Sequence, residues 1–414
     1  MGAELIDADL VAGRRLMERL DAFAAFTDEP GRLTRVFLSD THRRAAHAFI
    51  GWCAEAGLEA SIDAVGNVVA RYEGRRAGAP ALMLGSHIDT VRDAGRYDGN
   101  YGVLAALAVV ETLSARRERL DHAIEIVAFG DEEGVRFRTT LTGSRALAGT
   151  YPQEALDQKD AGGVAMRDAL KAFGGDPERA HLIRRDNFAA FVEAHIEQGP
   201  LLEAEGLPLG IVSAINGATR LEVGVDGAAG HAGATPMGLR RDALTAAAEM
   251  ALMIEARARG EADLVATVGR FDVWPGAANV IPGHVQFSVD LRAPNDASRV
   301  AALTDLMERI GAVTRSRGLS VSLAKTHEAN AFVCDQRIID GLAQAVEAVG
   351  VAPRILPSGA GHDTMVMGGL CPAGMLFIRC KGGVSHSPLE SITLEDCAIG
   401  LRALTCFVRD FRIS

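Results

Sequence analysis

The 414-residue chain lacks any apolar run long enough to cross a membrane. Its longest stretch free of charged residues and histidine, Thr364 to Ile378, is 15 residues and contains Gly368, Gly369, Pro372 and Gly374. A bilayer span needs about 20 mostly apolar residues, so no membrane segment is expected. The opening segment MGAELIDADLVAGRRLMERL is acidic and amphipathic and has no apolar h-region, so no secretory leader is expected either. Cysteine is scarce. The six present (Cys53, Cys334, Cys371, Cys380, Cys397, Cys406) show no CxxC spacing, which leaves reduced thiols in a cytoplasmic protein as the expectation. Positive charge is also short, with Lys+Arg 43 against Asp+Glu 54, a net charge of −11 and only four lysines. No basic strip is visible, so neither nucleic acid nor an anionic membrane surface is expected as a partner. A GxSxG elbow and a GxGxxG fingerprint are missing too, which disfavours a serine-nucleophile hydrolase and a Rossmann nucleotide site.

What is there is an ordinary globular composition, 48% hydrophobic and 23% charged, ample for a packed core and incompatible with intrinsic disorder. The length predicts two or three domains. In the first half ALMLGSH (81–87) and AIEIVAFG (123–130) read as buried strands, with a helix from Tyr101 to Arg116 between them. Strand–helix–strand order points to an α/β sheet. From about residue 214 the texture changes. TRLEVGVDG, LVATVGRFDV and HVQFSVDLRA alternate as half-buried strands, with helices at about 238–258 and 296–317, so a smaller α+β unit with one open sheet face is expected over 214–329. After about 330 the α/β style returns, with a helix over 336–349, a buried strand near 375–380 and a last helix over 393–411. The fold class read here is thus an α/β domain of residues 1–213 and 330–414, interrupted by an inserted α+β domain.

Ligands in α/β sheets bind beyond the carboxyl ends of strands, and there the sequence places His87 and Asp89 after the first strand and Asp131, Glu132 and Glu133 after the second. Of 11 histidines, His42, His47, His122, His181, His284 and His327 read as surface or core residues. The other five lie on short polar turns, His87 in GSHIDTV, His195 in EAHIEQG, His231 in GHAGATP, His362 in SGAGHDT and His386 in GVSHSP. Asp98 sits in YDGNYG, just before a helix. Imidazoles and carboxylates gathered without thiolates suit a divalent cation such as Zn²⁺, Mn²⁺, Co²⁺ or Ni²⁺.

Taken in order, GSHIDTV, YDGNYG eleven residues after His87, DEEGVRF, HIEQGP, GHAGATPM, ANVIPG, DLRAP, SGAGHD and SHSP resemble the hydantoinase/carbamoylase branch of the M20 family of dinuclear metal-dependent amidohydrolases. The resemblance runs from about residue 10 to 412. It implies an α/β catalytic domain with an inserted dimerisation (lid) domain and hydrolysis of the N-carbamoyl C–N bond of a small ureido acid, allantoate or an N-carbamoyl-L-amino acid. It further implies two divalent ions, Zn²⁺ or Mn²⁺ with Co²⁺ and Ni²⁺ as alternatives. Asp98 is implied to bridge them, His87 and His195 to complete one site, and Glu133 and His386 the other. Glu132 is implied as general base, Asp89 as the acid that orients His87, and His231 as an oxyanion-stabilising residue that reaches across a homodimer. Arg292 is implied to clamp the substrate carboxylate, with Gln198, Asn279, Gly361 and His362 as further substrate contacts. Asp131, where many relatives carry a neutral residue, is expected to add negative charge near Glu132. The competing reading is an M20 peptidase or aminoacylase acting on a peptide or N-acyl amide, from which HIEQGP and SGAGHD point away.

Overall fold

The computed structural model describes residues 7–413. Their contacts divide into two compact units. Within the described residues the larger holds 7–213, 334–356 and 360–413, and the smaller 214–333 with 357–359. Along the chain, β1 (Glu59–Ile62), β2 (Val68–Tyr72), β3 (Ala81–His87), β4 (Ala123–Phe129), β5 (Phe188–Ile196) and β6 (Leu209–Ile215) come first. The next set is β7 (Gly217–Asp226), β8 (Gly230–His231), β9 (Val265–Thr267), β10 (Phe271–Trp274), β11 (Val280–Ile281), β12 (His284–Ala293) and β13 (Ser320–Ala329). β14 (Phe332–Val333), β15 (Ile355–Ser358) and β16 (Ala373–Ile378) close the series.

The larger unit is built on a sheet of order β1-β2-β4-β3-β5-β16-β6-β14, with β15 paired to β6. At its centre β4, β3, β5 and β16 run parallel, and the outer pairs are antiparallel. The parallel strands read as continuous apolar runs because both faces are covered: β3, β4 and β16 are buried at every position. Helix Asn100–Ala115 packs on β3 and β5, and helix Leu394–Asp410 packs on β16 and on helices Asp7–Ala24 and Gln336–Ala348. Helix Asn100–Ala115 is buried almost all round, which is why its apolar positions show so little sidedness.

In the smaller unit the sheet order is β10-β12-β7-β13, with β9 also paired to β12 and a separate two-stranded ribbon of β8 and β11. Helices Ala243–Arg259 and Asp296–Ser316 bury one face over Leu221, Val223, Val225, Val285, Phe287, Val289 and Leu291. β12 alternates half-buried and buried along its whole length, so its even-numbered side chains lie on the opposite, open face. One expected element differs. LVATVGRFDV, read as a single strand, is two. β9 pairs with Asp290–Arg292 and β10 with His284–Phe287, and between them the Ser288 N–H donates to the Arg270 carbonyl while the Arg270 N–H donates to Ser288 Oγ. Between the paired positions, three residues, 268–270, face two on β12, 288 and 289. A run with an extra residue cannot hold one register and breaks there.

Candidate active site

The parallel strands deliver chemistry to a common edge. His87 is the last residue of β3, Glu132 and Glu133 follow β4, His195 is next to last on β5, and His386 follows β16. Asp98 lies in the turn that opens helix Asn100–Ala115, where Gly99 has φ +64° and a Cβ there would meet the His87 ring at 2.4 Å. Only glycine permits both that conformation and that approach.

Asp98 is the hub. Its Oδ1 lies 3.4 Å from His87 Nε2 and 3.1 Å from His195 Nε2, and its Oδ2 lies 3.2 Å from His386 Nε2. Glu133 Oε2 approaches His386 Nε2 at 3.6 Å, and Glu132 Oε2 lies 3.9 Å from His87 Nε2. Two donor groups result, His87–Asp98–His195 and Asp98–Glu133–His386, which share Asp98 through different oxygens; in each, the ligand atoms lie within 4.8 Å of one another. The far nitrogens are fixed by main chain: His87 Nδ1 contacts the Asp89 carbonyl at 2.9 Å, and His195 Nδ1 the Ile196 carbonyl at 2.8 Å. Both Nε2 atoms therefore face Asp98.

The electrostatics fit a cation. Burial pushes Glu132 well above the usual carboxylate range, with His87 opposing and Glu133, Asp363 and Asp89 adding. Glu133 is raised to about 7, by burial first and then by Asp98. For His87, burial works downward, but the Asp98 hydrogen bond and the surrounding carboxylates overcome it and hold the ring well above the imidazole range. The Asp98 hydrogen bond likewise lifts His386 to about 9. Among the described residues no guanidinium or ammonium lies within 4.0 Å of Asp98, Glu132 or Glu133. Oxygen and imidazole donors that must otherwise take up protons to coexist are a chemically sound divalent-metal set.

The supporting residues are less expected. The Asp89 carboxylate stands 3.9 Å from His87 Nδ1 and instead accepts the backbone N–H groups of Glu132 and Glu133, each at 3.2 Å. It therefore holds the turn that presents both glutamates, and its carbonyl, rather than its carboxylate, orients His87. Asp131, with φ +65°, accepts hydroxyl hydrogen bonds from Thr139 and Thr142 on Oδ2. Burial and then Asp89 push it well above the carboxylate range. Two further residues escaped sequence reasoning. Glu390 accepts the backbone N–H of Tyr97 (2.8 Å) and Asp98 (3.1 Å), and Ser385 Oγ donates to Asp98 Oδ2 at 2.7 Å. Both flank His386 in SHSPLE, a cue that polar residues beside a ligand brace it.

Of the expected substrate contacts in the larger unit, Gln198 donates from Nε2 to Asp98 Oδ2 at 2.9 Å, leaving its buried Oε1 without a partner among the described residues. His362 is buried edge-on against His195, ring centroids 4.6 Å apart, and is held well below the imidazole range by burial and then by His195. Gly361 is exposed one residue earlier. The smaller unit carries the rest. His231 and Asn279 are both exposed at the β8–β11 ribbon, where the Ala232 N–H meets the Asn279 carbonyl at 2.9 Å. Arg292 holds Asp290 through Nε (2.8 Å) and Nη2 (2.9 Å) and the Gly359 carbonyl through Nη1 (2.8 Å).

Residues 83–410 match the model of peptidase family M20/M25/M40. This chain belongs to that family. It is 41% identical to an N-carbamoyl-L-amino acid amidohydrolase of Geobacillus stearothermophilus, over 95% of this chain and 97% of that protein. It is 40% identical to an allantoate deiminase of Arabidopsis thaliana, over 93% and 80% respectively. A hydantoinase/carbamoylase family amidase from Burkholderia multivorans superposes with a TM-score of 0.91 at 33% identity, covering 96% of this chain and 97% of that one. No described helix of the M20 chain is long and apolar enough to cross a membrane.

Proposed function

We propose that this M20 hydrolase cleaves the ureido C–N bond of a small ureido acid, allantoate or an N-carbamoyl-L-amino acid, releasing ammonia and CO₂. The observation that carries the reading is the division of Asp98, one oxygen toward His87 and His195 and the other toward His386 beside Glu133. Two divalent ions, Zn²⁺ or Mn²⁺, are proposed for these two donor groups. Bound there, they would polarise the ureido carbonyl and acidify a water.

The remaining work falls to the chain. Glu132 lies beside His87, 3.9 Å from its Nε2, so it is positioned to take a proton from the attacking water and return it to the leaving nitrogen. Its raised affinity for protons, set first by burial, suits that exchange. Asp89 steadies the turn that carries it. Arg292 is proposed to receive the substrate carboxylate, a task for which its planar fork is suited. Gln198, Gly361, His362 and Asn279 are proposed as further contacts. The exposed His231, whose Nδ1 accepts the Gly233 N–H at 3.1 Å, is proposed to serve the oxyanion of a partner subunit, with the smaller unit as the dimerisation and lid domain. A cytoplasmic setting fits six unpaired cysteines.

The test is turnover by metal-loaded protein, read as ammonia release over allantoate, ureidoglycolate, N-carbamoyl-β-alanine and a panel of N-carbamoyl-L-amino acids, and as release of free amino acid over dipeptides and N-acetyl amino acids. Turnover confined to the ureido acids is expected. Turnover of dipeptides or N-acetyl amino acids alone would overturn the reading in favour of a peptidase or aminoacylase.

A further inference from the structure

The open face of the smaller unit's sheet holds a cleft of ≈ 570 Å³, with Arg220, Asp290, Arg292, Thr267, Ser288 and Thr326 in its lining. Arg220 on β7 stands directly across from Asp290 on β12, and Arg292 lies two residues further along β12. Side chains two apart on a strand share a face, so these three form one cross-strand cluster. Asp290 Oδ2 accepts from Arg220 Nε at 3.0 Å and from Arg292 Nη2 at 2.9 Å, while Oδ1 accepts from Arg292 Nε at 2.8 Å. One carboxylate thus serves two guanidiniums.

The other acid in the lining does not restore the balance, because Glu222 accepts from Arg270 (2.5 Å) and from Gln286 (3.1 Å). The cluster keeps an excess positive charge, and a neighbour registers it. His327 is held below its usual range by burial first and then by Arg220, with Asp290 opposing and Arg292 adding. Arg220 is also incompletely used. Its Nε is tied to Asp290, which fixes the guanidinium plane, and its two terminal nitrogens make no hydrogen bond among the described residues. A fixed planar fork with free N–H groups recognises a planar acceptor, either a carboxylate or a carbonyl of a ureido group.

We propose that Arg220 is a specificity-determining residue that takes a second planar acceptor on the substrate beside Arg292, so that ureido acids bearing a further carboxylate or ureido carbonyl are preferred over those with an apolar side chain. The inference rests on the ureido-acid reading above and narrows it. It also explains why the cleft places two arginines on one aspartate: Arg292 alone would suffice for a single carboxylate.

The experiment compares kcat/KM for N-carbamoyl-L-aspartate, allantoate and N-carbamoyl-L-leucine in the metal-loaded parent, R220M, R220K and the control R317M, whose arginine pairs with Glu249 elsewhere in the unit. Calorimetric binding of the same three compounds to metal-free protein runs in parallel. The parent is expected to favour at least one acceptor-bearing compound over N-carbamoyl-L-leucine by about tenfold or more, the scale of a charged hydrogen bond. R220M should reduce that ratio by about tenfold, mainly through KM, and R317M should leave it in place. Recovery in R220K for N-carbamoyl-L-aspartate alone would show that charge is read, and recovery for neither that the planar fork is read. A ratio unchanged within twofold in R220M, or a parent that favours the leucine compound, overturns the inference. Absence of turnover on all three would overturn the ureido-acid reading instead. The binding data then decide this inference: a preference lost in R220M upholds it, and equal binding of the three by the parent overturns it.

Discussion

Glu125 and the pair Glu132 and Glu133 lie within eight residues of one another, the first on β4 and the others just beyond it, yet the fold treats them differently. The Glu125 side chain is fully buried and is met by two guanidiniums, Arg71 at 2.7 Å and Arg185 at 2.6 Å. The ion-pairing partners of Glu132 and Glu133 among the described residues are imidazoles, His87 at 3.9 Å and His386 at 3.6 Å. Where a buried carboxylate is structural, the chain supplies permanent positive charge. At the carboxyl edge of the sheet no guanidinium or ammonium lies within 4.0 Å of Asp98, Glu132 or Glu133 among the described residues, a setting suited to a cation from outside. The histidines repeat the contrast. His87 and His386 at the edge are raised by Asp98, whereas His42 in the core is driven down to about 3 by burial and then by Arg35 and Arg136.

The comparison breaks most visibly at Asp98. Asp98→Ala should lower ammonia release by about 10³-fold or more, since it removes the carboxylate shared by both donor groups. Mixing Asp98→Ala chains with His231→Ala chains should restore part of the rate if His231 serves the partner, which a steady-state assay of the mixture reads. Glu132→Gln should lose roughly 10²-fold in kcat while retaining its metal content by elemental analysis. Near-normal turnover would remove it as the base. Arg71→Met attacks the structural side of the comparison. It should destabilise the fold by about 2 kcal/mol in denaturant titrations, because Glu125 stays buried with one partner, and leave kcat per folded molecule unchanged. The smallest effect concerns pH. His42 titrates near 3 when folded and near 6.5 when unfolded, so its contribution to stability is present above pH 6.5 and is lost as pH falls. The stability gap between the parent and His42→Gln should narrow by about 1 kcal/mol between pH 7 and 5.5.

Local chemistry was legible in the sequence and long-range chemistry only in part. Apolar runs such as ALMLGSH and AIEIVAFG announced β3 and β4, because strands covered on both faces admit little else. The polar residues that end those runs marked the edge where His87, Asp89, Glu132 and Glu133 stand. What one strand-end residue does for another was harder to see. Asp89 is two residues from His87, which suggested a contact between their side chains, but its carboxylate is engaged by backbone N–H groups more than forty residues away. Glu390 acts on Asp98 across 292 residues of chain, with no periodicity or spacing to announce it. Asp131 looked like part of the cluster because it adjoins Glu132, but its left-handed φ turns the carboxylate to Thr139 and Thr142. In the smaller unit, alternation announced β7 and β12 well. It could not show that the run 264–273 is split, since a three-against-two mismatch depends on the partner strand.

The most direct test of the uncompensated edge is a calorimetric titration of Mn²⁺ or Zn²⁺ into metal-free protein, compared with Asp98→Asn. Two ions per chain are predicted for the parent, with the variant weakened more than about 100-fold because both donor groups lose a shared anionic oxygen. No binding by the parent, or a variant that binds both ions as the parent does, would contradict the account.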